Sequence, residues 1–453
     1  MGKKKNNYSE FLDNKQLNIE ELREGKYELK SRFTSLICTL TSHCNIQCIM
    51  CGIWREKWNM PEKTVRGVVD YLKYLEHAIW LGGEVFLSPY FGDLLDETKK
   101  YPYLEQRINT NALLINEKWA EKLMQNNIEL ICSIDSTTKE PYEKIRKGGK
   151  FKDLLKALEI INEMRQNKAG RRFDLRMNMV VMKSNWEETE HIIDFAYKYG
   201  FENVQLIAIA GDGNPEQVFD DRPENKKIQE KLKRVIPVLK RKAEEYGIEL
   251  FNCLPLTEAE LSKEDLEDAV KDLQKADKSG RGYDETYDIE DPFNQKELKE
   301  TIQRIHSYED CTGPDGNGEI FCRLAWQQLL IEPFKCQFGC WCPRSIGTIE
   351  DKTIDEIWNS KTAQRYRKAI VEGNYNKMCG ERCVSCEIPA AYKLWPVEEK
   401  RFYSIYFHHP YAWQHIQEVL LLFCNHHFQD RTCQAQNSRT DLYYPIDMPL
   451  PRQ

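Results

Sequence analysis

The stretch Ser35-Leu36-Ile37-Cys38-Thr39-Leu40-Thr41-Ser42-His43-Cys44-Asn45-Ile46-Gln47-Cys48-Ile49-Met50-Cys51-Gly52 sets three cysteines, spaced CxxxCxxC, directly after an apolar run that begins at Phe33. Three thiolates on one short loop behind a strand suit a [4Fe–4S] cubane, which normally takes four ligands. The next cysteine, Cys132, is far down the chain. One iron would therefore lack a protein ligand and stay open to a substrate or cofactor. The alternatives are a zinc site or packed core thiols. Zinc prefers paired CxxC or Cys/His knuckles, and His43 beside Cys44 is poorly spaced for one.

Working outward, strand and helix patterns alternate from Phe33 to about Ala210. Strands are expected over 35–40, 77–81, 106–110, 128–134, 174–181 and 203–209, with helices over 62–75, 116–125, 151–164 and 186–199 between them. Gly200 ends the last helix as a C′ glycine. Six such alternations predict an α/β fold, a partial (β/α)6 TIM-like barrel, and a small cysteine-rich domain follows it. Sites of parallel sheets gather at the C-terminal strand ends. The cysteine loop falls at the first of these ends, Gly82-Gly83-Glu84 at the second, Thr110-Asn111 at the third and Ser133-Ile134-Asp135 at the fourth. Arg146 follows in Lys144-Ile145-Arg146-Lys147-Gly148-Gly149, Asn178 lies on the fifth strand, and Gly211-Asp212-Gly213-Asn214 is a turn after the sixth.

These residues resemble the radical S-adenosylmethionine (SAM) family, and the cysteines match its motif. The resemblance implies that SAM's amino and carboxylate groups chelate the open iron, and that the reduced cluster cleaves SAM to methionine and a 5′-deoxyadenosyl radical that takes a hydrogen atom from substrate. It also implies SAM-binding roles for Gly82, Gly83 and Glu84 (the amino group), Asn111, Ser133, Asp135, Arg146 (the carboxylate) and Asn178. Plain readings stand beside these: a tight turn for the glycines, a surface arginine for Arg146, a satisfied core amide for Asn178. Met50 replaces the family's usual aromatic residue, and Ala112 replaces the glycine of a TNG turn.

Residues 1–32 read as a polar lead-in with one helix around Ile19 to Leu22, and 33–256 as the barrel. Asn225–Tyr246 forms an amphipathic helix, and 248–251 a short closing strand. The strongly charged insertion 257–310 reads as solvated surface. Across 311–388, the opening Cys322-Arg323-Leu324-Ala325-Trp326, a cysteine before Ile346-Gly347-Thr348-Ile349, the EIWNS helix from Ile354 and the closing Cys383-Val384-Ser385-Cys386 resemble the SPASM extension of radical SAM enzymes. That resemblance implies an auxiliary [4Fe–4S] cluster on Cys322, Cys340, Cys383 and Cys386. Cys336, Cys342 and Cys379 are assigned to a second cluster or to substitution for a ligand, and Lys335 stands where a glycine is usual. The tail 389–453 contains His408-His409 and His426-His427, whose spacing matches no metal site. Cys132, Cys253 and Cys311 read as buried structural thiols, with hydrogen-atom donation as the functional alternative.

The chain has 453 residues, 41% of them hydrophobic, and a net charge of −7. An acidic balance argues against nucleic acid as a partner, and no apolar stretch approaches a membrane span. Sixteen cysteines, clustered and without a signal peptide, point to metal ligation in a reducing cytoplasm. The expectation is a radical SAM/SPASM oxidoreductase or maturase acting on a peptide or protein, reduced by a donor such as flavodoxin or ferredoxin. A small-molecule radical SAM enzyme and a non-catalytic iron–sulfur redox protein are the alternatives.

Overall fold

A computed structural model describes residues 7–165, 170–209, 214–256, 324–339, 345–350 and 352–372. Its centre is a nine-stranded sheet. In chain order the strands are β1 (Ser35–Thr41), β3 (His77–Gly82), β4 (Glu105–Thr110), β5 (Asn127–Ser133), β7 (Phe173–Val181), β8 (Asn203–Ala208), β9 (Glu249–Cys253), β10 (Gln328–Glu332) and β11 (Lys335–Phe338). The spatial order is β11-β10-β1-β3-β4-β5-β7-β8-β9. Only the β10–β11 hairpin is antiparallel. A separate ribbon pairs β2 (Gln47–Cys48) with β6 (Arg146–Lys147).

The six expected barrel strands all form, because each carries β-branched or aliphatic residues at alternate positions that pack under the covering helices. Every residue of β1 is buried. Leu36, Cys38, Leu40, Trp80 and Ile108 point to the helix side and join the main core. The opposite face starts apolar, with Ile37, Ile79 and Leu330, and continues along the register from Ile79 into Arg107 and Glu129. The sheet thus has one dry face and one partly charged face.

Several elements differ from expectation. The polar lead-in is a long helix, Asn7–Arg23, whose Phe11, Ile19 and Leu22 are buried. Its polar residues are buried too, with partners: Lys15 Nζ lies 2.8 Å from Glu76, and Glu21 accepts from the Lys30 and Ser31 N–H groups. Polar composition concealed this helix because its polar side chains bond protein instead of water. Helices Phe91–Thr98, Lys139–Ile145 and Lys361–Val371 were not expected from the pattern.

The 328–331 run, assigned above to the cysteine-rich domain, instead adds to the β1 edge of the barrel sheet. The β10–β11 hairpin and the helices Ile354–Trp358 and Lys361–Val371 are tied there by the N-terminal segment. Trp326 Nε1 donates to Lys26 O at 2.8 Å, Trp358 Nε1 to Ser31 O at 3.1 Å, and Asn359 Nδ2 to Leu29 O at 2.7 Å. The expected helix at 225–246 and the closing strand both form, as Pro223–Glu245 and β9. Residues 257–310, Cys311, Cys322, Cys340, Cys342, Cys379, Cys383, Cys386, the 211–213 turn and the 389–453 tail lie outside the described residues. Among the described residues no helix is long and apolar enough to cross a membrane.

Candidate functional site

The loop that leaves β1 folds back because three backbone bonds hold it. The Gly83 N–H donates to Thr41 O, the Glu84 N–H to His43 O, and the Ile49 N–H to Ile145 O, at 2.8, 2.8 and 3.0 Å. Gly82 and Gly83 are required by this contact. A Cβ on Gly82 would lie 2.7 Å from Thr41 O, and one on Gly83 2.5 Å from both Ser42 O and His43 O. The two glycines therefore let the second strand end press against the base of the cysteine loop. Cys44 and Cys48 are half-buried and Cys51 is exposed.

Glu84 was expected to meet a ligand's amino group, and the fold turns it inward. The carboxylate is fully buried. It accepts from Thr110 Oγ1 and the Asn111 N–H, both at 2.8 Å, and from the Phe86 N–H at 3.4 Å. Burial pushes its pKa up to about 7, against the pull of those donors. Its place is a brace between the second and third strand ends, and the brace aims Asn111. The Asn111 amide Nδ2 donates to Asn45 Oδ1 at 2.8 Å and lies 3.9 Å from Cys44 Sγ. Ala112 follows with φ of 64°, the left-handed region that favours glycine.

Arg146 reaches the same loop from the other side, carried by the β2–β6 ribbon that sets it opposite Cys48. It is buried, with Nη2 2.7 Å from Asp135 Oδ2 and Nη1 3.8 Å from Cys48 Sγ. Burial pushes the Asp135 carboxyl up, and the Arg146 charge opposes that shift. Asp135 Oδ1 also accepts from the Val180 N–H at 3.0 Å. Burial drives the Cys48 thiol up to about 11 and Arg146 pulls it back; burial likewise raises Cys44. Metal loading must therefore release protons from these thiols.

Ser133 and Asn178 are register neighbours on β5 and β7, and Asn178 is opposite Gln205 on β8. Arg146 Nε, Tyr142 Oη, Asn178 Oδ1, Asn109 Oδ1 and Gln205 Oε1 are buried without a hydrogen-bond partner among the described residues. Such orphaned groups are rare in a finished core and belong where another molecule or water completes them. Met50 packs beside Ile145, Met182 and Ile209, an apolar patch at the same strand ends. Asn109 and Gln205 escaped the sequence reading because only lumen-facing alternation on assembled strands singles them out, and Tyr142 because it lies on the Lys139–Ile145 helix that the pattern did not reveal.

Below this layer a cavity of about 290 Å³ opens at the N-terminal end of the sheet. Its charges are matched: Glu129 binds both Arg107 and Arg176, and Arg172 reaches Asp174 and Glu105.

Cys336 does not join the site. It lies on β11 in the main apolar core, wholly buried, where burial pushes its thiol up to about 12; the cysteines grouped with it in the sequence lie outside the described residues. Cys132 and Cys253 are buried as well. Among the described residues no three His, Cys, Asp or Glu side chains close on a single ion; a four-iron cubane spreads its ligands over separate corners.

Residues 38–196 match the model of the radical SAM superfamily. A probable GTP 3′,8-cyclase of Sulfurisphaera tokodaii is 28% identical over 216 residues, 46% of this chain and 64% of the relative. A cysteine-type anaerobic sulfatase-maturating enzyme of Clostridium novyi is 27% identical over 196 residues, 38% of this chain and 50% of the relative. The chain thus spans less than two thirds of either. Among solved structures, Streptococcus suis SuiB bound to precursor peptide SuiA matches at a TM-score of 0.47 and 15% identity, over 83% of this chain and 73% of that one.

Proposed function

With residues 38–196 belonging to the radical SAM superfamily, we propose that this chain holds a [4Fe–4S] cluster on Cys44, Cys48 and Cys51 and SAM at the open iron, and takes a hydrogen atom from a peptide or protein. When bound, the cluster and SAM supply a 5′-deoxyadenosyl radical. The chain's residues fit this load. Three thiols share one loop without a fourth, and N–H donors from Asn111 and Arg146 face two of the sulfurs, as cluster thiolates favour. Glu84 keeps Asn111 in place, and Asp135 balances the Arg146 charge beside Cys48. Asn178, Ser133 and the apolar patch around Met50 line the space at the strand ends where a cofactor would lie.

The observation that carries this reading is the meeting of strand ends at the cysteine loop, where Arg146 and Asn178 keep buried polar atoms without hydrogen-bond partners among the described residues. The peptide substrate rests on one relative, which bears the name of a sulfatase-maturating enzyme. A small-molecule substrate is the second reading, favoured by the GTP 3′,8-cyclase relative. An auxiliary [4Fe–4S] cluster on Cys322, Cys340, Cys383 and Cys386 completes the proposal, on the strength of the sequence pattern around them.

The test is anaerobic iron–sulfur reconstitution followed by dithionite and SAM. 5′-Deoxyadenosine should form, and Cys48→Ala should abolish it while the iron held elsewhere stays bound. A cluster-loaded chain that leaves SAM intact would make it a redox protein instead. A mass change in a co-expressed peptide against turnover of added GTP separates the two substrate classes.

A further inference from the structure

The outer face of the cysteine loop carries charge that the site does not use. Ile49, between Cys48 and Cys51, is 37% exposed, and Cys51 is exposed beside it. The Trp54 indole Nε1 donates to Cys51 O at 2.8 Å, which fixes the ring next to the cysteine. The Arg55 guanidinium lies over that ring at 5.3 Å, and Lys57 follows. From the other side, the β2–β6 ribbon puts Lys147 opposite Gln47, and the bond from the Ile49 N–H to Ile145 O draws in Lys144.

Arg55, Lys57, Lys144 and Lys147 are all exposed. None has an ion-pair partner among the described residues. The acids on the same segments are engaged: Glu56 accepts from Trp58 Nε1 at 2.9 Å, and Glu143 from Lys150 Nζ and the Phe151 N–H, both at 3.3 Å. Lys139 and Glu140, at the start of the same helix, cancel in charge. Four exposed cations against the single unpaired carboxylate of Glu56 leave these segments net basic on a chain of net charge −7, and they flank the exposed Ile49 where the loop meets solvent. Rim charges of one sign steer a partner of the opposite sign, and an apolar centre gives it a seat.

We propose that this face docks an acidic one-electron carrier protein. The proposal rests on the radical reading, which requires one electron at the Cys44, Cys48 and Cys51 site for each SAM cleaved. The carrier gives up that electron and becomes one-electron oxidised, and the site gains it.

The test uses the full chain, a flavodoxin as the probe and two charge reversals, R55E/K57E and K144E/K147E. Flavodoxin binding to the iron-free chain should weaken about tenfold in each variant, and wild-type binding should fall with added salt. With reconstituted protein and SAM alone, 5′-deoxyadenosine formation driven by flavodoxin, its reductase and NADPH should drop about tenfold, while the dithionite-driven rate holds. Loss of both rates together would show that the four residues serve the fold or the site, and unchanged flavodoxin binding would also overturn the docking face. If loaded wild type cleaves no SAM with dithionite, the radical reading fails, and the binding arm still judges the surface.

Discussion

Arg367 and Arg146 are both buried, and they live in opposite circumstances. Arg367, where the N-terminal segment meets the 324–372 region, donates Nε to Ala325 O, Nη1 to Tyr27 O and Nη2 to Trp358 O, at 2.7, 3.0 and 2.9 Å. Its guanidinium also lies 4.5 Å from the Trp358 ring centre and 5.1 Å from that of Phe338. Burial lowers its pKa to about 9, so it is charged at neutral pH. Arg146 faces one carboxylate and one thiol and leaves Nε without a partner. A structural arginine fills its donor fork with backbone carbonyls, while a site arginine keeps donors and charge turned toward a space that something else must occupy.

Substitutions can break this contrast. Arg367→Met should have the largest effect on stability, about 4 kcal/mol, because buried carbonyls lose their donor together with the cation–π stack. Denaturant midpoints measure it, and a change under about 1 kcal/mol would end the structural assignment. Iron loading at Cys44, Cys48 and Cys51 should stay intact.

Glu84 comes next. Its folded pKa of about 7 exceeds the ordinary carboxyl value, so the folded chain binds the proton more tightly than the unfolded one. Its contribution is therefore greatest in acid, declines as pH rises from about 4.5 to 7, and levels off above, a total of about 3 kcal/mol. The stability of wild type minus that of Glu84→Gln, followed across pH 4 to 8, should trace this decline. A flat difference would refute the raised pKa.

Arg146→Gln should cost about 2 kcal/mol through the stranded Asp135, and adding Asp135→Asn should recover most of it. Cluster loading should remain impaired in the double variant; full recovery would make Arg146 as structural as Arg367. The smallest effect is Ala112→Gly, which relieves a φ of 64° and should stabilise by about 1 kcal/mol, read as a rise in Tm.

The strand ends were legible in the sequence because β-type runs alternate with amphipathic helices, and because CxxxCxxC, GGE and SxD fall at the turns between them. The direction of individual side chains was not. That Glu84 braces Thr110 and Asn111 could not be read, since those residues come close only after β3 and β4 pair. Cys336 is buried on β11 together with Gln337 and Phe338, a placement that cysteine spacing does not encode. The N-terminal helix was legible only around Ile19 to Leu22 and not over its full length, Asn7–Arg23, because Lys15, Asn18 and Glu21 are polar yet buried, and only their distant partners Glu76, Trp326 and Ser31 explain them.

By itself, then, the sequence determined the order of the barrel strands and the placing of three thiols on the loop after the first of them, because these follow from local periodicity and spacing. The tertiary structure alone decided that Arg146 faces Cys48, that Glu84 holds Asn111, and that the 328–332 strand completes the barrel sheet. Those outcomes depend on contacts between residues tens to hundreds of positions apart, which no local pattern encodes.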